Sequence, residues 1–170
     1  YVFDASDLRV LNVINMDICD EYKRISGTPA DTRGFSGIDG VAFGREPGTG
    51  AQKMFVACAM ITGEKYENQI LLQCTPEGKY EKEYHIRTGN TVYGIQNLDY
   101  DESSGEFWFS TYGKGAPYQP EETLYCVGPQ LDGVKAKYHF SSPYGFECLG
   151  GGRYYASLQD GVNGHRTGTA

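Results

Sequence analysis

The chain has 170 residues, 39% hydrophobic and 22% charged, enough for one ordinary domain with a real core. Its net charge of −7 and isoelectric point near 4.9 leave no basic stripe to displace counterions, so nucleic acid is excluded as the expected partner. No apolar run approaches the roughly 20 residues needed to span a bilayer, so no membrane span is expected.

Taken in order, "YVFDASDLRVLNVIN" (1–15) reads as two short strands around an "ASDL" turn. It opens without Met, as a mature form or an ordered fragment does, and leaves the compartment open. "FSGIDGVAFG" (35–44) is a glycine-led strand, followed by "KMFVACAM", "NQILLQC" and "KYEKEYHI". The same series then recurs as "VYGIQNLDYD" (92–101), "EFWFSTYG", "ETLYCVG" and "VKAKYHF". A third opening, "PYGFECLGGG" (143–152), leads into "RYYASLQD", and the chain ends in "GVNGHRTGTA", where a third strand of that unit is due. The openings align on Gly37, Gly94 and Gly145, and Tyr84-His85 aligns with Tyr138-His139. With 23 glycines, 14 tyrosines and turn-forming Gly, Asp and Ser between the runs, no helical period is present.

Four-strand units of this length, repeated in tandem, are the signature of β-propeller blades, which must stack because one blade cannot bury both its faces. The expected fold is therefore all-β. It is a β-propeller segment of four-stranded antiparallel blades, two complete and two half: 1–24 the end of a blade, 35–87 a blade, 92–140 a blade and 143–170 the start of one. Three blades' worth of strands do not close a ring, so further chain segments or self-association would have to complete it. A β-sandwich of the same strands is the alternative.

"GIDGVAFG" resembles the opening of blades in the six-bladed propellers of the gluconolactonase, senescence-marker and NHL-like superfamily. "TGNTVYGIQNLDYD" is similar to a segment of uncharacterised bacterial secreted propeller proteins. The resemblance implies a six-bladed ring and an extracytoplasmic location. It also implies a Ca²⁺ in the central channel, held by acidic and amide side chains of the innermost strands. The matching positions are Asp39, Gln96 with Asn97, and Glu147. Oxygen donors of this kind suit Ca²⁺ or a water-bridged Mg²⁺, whereas a bland reading has them hydrating the channel. No other cofactor is indicated.

The insertion "STYGKGAPYQPEE" (110–122) carries Tyr112, Lys114 and Tyr118, and the loop near the end carries His165 and Arg166. Their aromatic and polar mixture suits contact with a small molecule, glycan or protein; ordinary exposed loops are the alternative. "DYDESSGE" (99–106) superficially resembles a calcium loop but reads more simply as a hairpin turn. His85 and His139 recur at one place on fourth strands and read as architectural. The five cysteines, Cys19, Cys58, Cys74, Cys126 and Cys148, form no C-x-x-C pair. Four lie in apolar runs and read as small buried hydrophobes leaning toward a reducing compartment, with one disulfide the alternative.

Two functions follow. The first is a non-catalytic ligand- or protein-binding module. The second is a calcium-dependent hydrolase of lactonase or esterase type, in which Asp39, Asn97 and Glu147 hold the ion and a loop residue such as His165 moves protons.

Overall fold

The computed structural model describes residues 1–15, 35–60, 66–112, 122–139, 145–159 and 166–169. Among these residues there are only strands and turns, and every strand pairing is antiparallel. Strands β1 (Val2–Phe3) and β2 (Val10–Asn12) form a small hairpin. A first four-stranded sheet follows in the order β3 (Phe35–Arg45), β4 (Gln52–Met60), β5 (Tyr66–Cys74) and the first half of β6 (Tyr80–Asp101). The second half of β6 opens a second sheet with β7 (Glu106–Tyr112), β8 (Glu122–Val127) and β9 (Val134–His139). A third sheet consists of β10 (Phe146–Gly150), β11 (Arg153–Gln159) and β12 (Arg166–Thr169).

Two features depart from the sequence reading. The fourth strand of one unit and the first of the next are one continuous strand, β6, rather than two strands broken at 88–91. Gly89, at φ +91°, supplies the bend there without ending the hydrogen bonding, and Thr91 still pairs with Tyr66. The chain end also goes further than expected, because residues 166–169 do form a third strand against β11.

The absence of polar alternation in "MFVAC" has a plain cause: both faces of β4 are covered. Phe55 and Ala57 point to the second sheet, where they join Leu71, Ile86, Ile95, Leu98, Phe107 and Phe109. Met54, Val56 and Cys58 point the other way, into a cluster with Ile70, Leu72, Cys74 and the N-terminal Ile14. On the far side of the second sheet, Trp108, Leu124 and Cys126 pack against Phe146, Cys148 and Tyr154 of the third. A strand with two buried faces can be apolar at every position. Phe55 and Phe107 meet edge to face at 4.5 Å between centroids, both fully buried. Each such side chain contributes about 1.5–3 kcal/mol relative to exposure.

The sheets repeat in one sense. Phe55 pairs with Gln73, and Trp108 pairs with Cys126, so Phe55 and Trp108 hold the same position in successive sheets. Both turn toward the sheet that follows in sequence. Their neighbours Val56 and Phe109 both turn toward what precedes. The first strands make the closest approach. A Cβ on Gly40 would lie 2.6 Å from the backbone nitrogen of Leu98 and 2.8 Å from the carbonyl carbon of Asn97, so only glycine allows β3 this near to β6. The next step of the stack is polar: the Asp99 carboxylate accepts the backbone N–H of Cys148 on β10.

The buried-hydrophobe reading of the cysteines fits Cys58, Cys74 and Cys126, which are buried, while Cys148 is half-buried; none of the four is in a disulfide. Cys19 lies outside the described residues.

Candidate functional site

The strand connections divide each sheet into two ends. At one end are the tight hairpins β3–β4, β5–β6, β6–β7 and β8–β9. At the other, the chain leaves β4, β7 and β11 for the longer connections to β5, β8 and β12.

The hairpin end of the first sheet is tied by a polar network centred on Gln73, which is 1% exposed. Its Nε2 donates to Glu46 Oε1 at 3.0 Å and to Glu81 Oε2 at 2.9 Å, and its Oε1 accepts the Tyr84 hydroxyl at 2.9 Å. Lys53 reaches Glu81 at 2.6 Å and Lys82 reaches Glu46 at 3.0 Å. Hydrogen bonds from Gln73, Lys82 and Thr49 lower the Glu46 carboxyl to about 2. The second sheet has the Glu106–Lys135 pair at the equivalent place, with the charges exchanged. Cys126, the register equivalent of Gln73, is raised to about 12 by burial and by the neighbouring Glu106. Every polar group of the Gln73 network has a partner, so it is a structural staple. Sequence reading had not singled it out, although the reversed charges at Lys53/Glu106 and Glu81/Lys135 in the aligned repeats were its visible signal.

The "DYDESSGE" stretch is a hairpin turn, as expected. Asp101 Oδ1 accepts the Ser103 backbone N–H at 2.8 Å and the Ser103 hydroxyl at 2.7 Å, and Gly105, at φ +74°, closes the turn with an N–H to Asp101 O at 2.7 Å. The bonds from Ser103, with others from Ser104, lower the Asp101 carboxyl. His85 and His139 lie exposed on fourth strands, and His85 Nε2 is 2.9 Å from Glu83.

The first strands carry the candidate ligand positions. Asp39 and Glu147 are exposed, on β3 and β10, and Gln96 and Asn97 are half-buried on β6. Asn97 is committed within its own sheet. Its Oδ1 accepts the backbone N–H of Ser110 at 2.8 Å and the Ser110 hydroxyl at 2.7 Å. Because a backbone N–H can only donate, the atom facing it must be the amide oxygen, and both its lone pairs are then used. The free functional group of Asn97 is a donor: Nδ2 is buried without a protein hydrogen-bond partner, and so is the nearby strand's Thr111 Oγ1. Thr111 pairs with Ile95 and precedes Tyr112, so both atoms lie toward the end from which residues 113–121 leave.

Tyr112 ends β7, pairing through its backbone with Val92, and Arg166 begins β12 opposite Gln159. Lys114, Tyr118 and His165 lie outside the described residues. Among the described residues, no three His, Cys, Asp or Glu side chains gather as a metal-holding group. No helix among them is long and apolar enough to cross a membrane. Compared with known proteins, the chain matches no family model, no curated protein and no solved structure.

Proposed function

We propose that the stacked sheets are consecutive blades of a β-propeller, part of a six-bladed ring, and that the chain is a non-catalytic module binding a small molecule, glycan or protein. The blade reading is supported by the common sense in which equivalent residues face, and by a second sheet covered on both faces; a two-layer sandwich leaves each sheet one open face. The binding surface is the end of the sheets bearing the long second-to-third-strand connections, with Tyr112, Lys114, Tyr118, His165 and Arg166 as contact residues.

The observation that carries the binding reading is the polarity left at Asn97. With Oδ1 taken by Ser110, the residue offers only an N–H donor, which suits a ligand rich in hydroxyl or carbonyl acceptors better than a cation. The calcium-hydrolase reading retains only the exposure of the Asp39 and Glu147 carboxylates on first strands, because the register separates them. Glu147 pairs with Tyr155, the place Asp99 takes opposite Trp108, whereas Asp39 lies between Ile38 and Gly40, the partners of Cys58 and Ala57.

Thermal unfolding in calcium and in a strong chelator separates the two, since a metal bound only to the folded state raises the midpoint. The binding reading expects coincident curves for wild type and Glu147→Gln. A calcium-dependent rise that Glu147→Gln abolishes would overturn it in favour of the hydrolase. For a ligand found on a glycan array, Thr111→Val should weaken binding up to about tenfold, the worth of one hydrogen bond.

A further inference from the structure

We draw no further inference here: the strongest candidate, the ring cluster of Trp108, Tyr138, Phe146 and Tyr154 between the second and third sheets, with the Trp108 indole N–H buried and unbonded, carries nothing, because Tyr138 is its exposed edge and nothing in the structure shows what covers it.

Discussion

The first and second sheets share a register but close their hairpin ends with opposite chemistry. In the first, Lys53 on the second strand pairs with Glu81 on the fourth, and a buried amide, Gln73, sits between two carboxylates. In the second, Glu106 and Lys135 hold the same places with charges reversed, and a buried thiol, Cys126, replaces the amide. The apolar positions behave differently: Phe55 and Trp108 are both large aromatics turned to the following sheet. Packing direction is what the two sheets have in common, and the polar tie is interchangeable provided that its charges match.

This comparison can be broken at several strengths. The largest effect is expected from Phe55→Ala and from Trp108→Ala, each costing about 3–5 kcal/mol in denaturant unfolding if the two positions are equivalent. Gly40→Ala comes next, at about 1–3 kcal/mol, because the added methyl would press on the backbone of Asn97 and Leu98. Gln73→Leu should cost about 1–3 kcal/mol, since it strips hydrogen bonds from Glu46, Glu81 and Tyr84, whereas Cys126→Ala in the second sheet should cost less. Smallest is the charge exchange: Lys53→Glu alone should lower the unfolding midpoint, and adding Glu81→Lys should restore it in part, since the second sheet already uses that arrangement but the exchange loses the bond from Gln73 to Glu81.

The staple also sets a pH dependence. The folded-state carboxyl of Glu46 lies at about 2, below its ordinary 4.5. Its stabilising contribution is therefore fully present above 4.5 and is lost as pH falls through about 2. Thermal midpoints measured across that interval should fall steeply for wild type and more gently for Glu46→Gln.

Strand positions were legible in the sequence because glycine-led openings and Gly/Asp/Ser turns bracket each apolar run. The continuity of β6 was not, since "RTGNT" has turn composition and only the backbone shows that Gly89 bends the strand without ending it. Nor could the facing of β4 be read, because "MFVAC" is apolar at both parities. At the candidate site, the match of Asp39 with Gln96 was visible in the repeat, but the alignment of Glu147 with them was wrong, because Glu147 pairs with Tyr155 and so stands where the second sheet has Asp99 opposite Trp108. The capture of Asn97 Oδ1 was not, because it depends on Ser110, a cross-strand partner that stands where the first sheet has Ala57.

The central claim is that successive sheets stack in one sense, and the single tryptophan reports on it directly. Trp108 lies against Phe146 and Tyr154 of the third sheet, at 5.6 and 5.3 Å between ring centroids, on the face opposite Phe55. Its emission and acrylamide quenching should be measured in wild type, Phe146→Ala and Phe55→Ala, with the fold checked by circular dichroism. Phe146→Ala should shift the emission to the red and raise quenching, while Phe55→Ala leaves both unchanged. Sensitivity to Phe55→Ala together with indifference to Phe146→Ala would contradict the stacking.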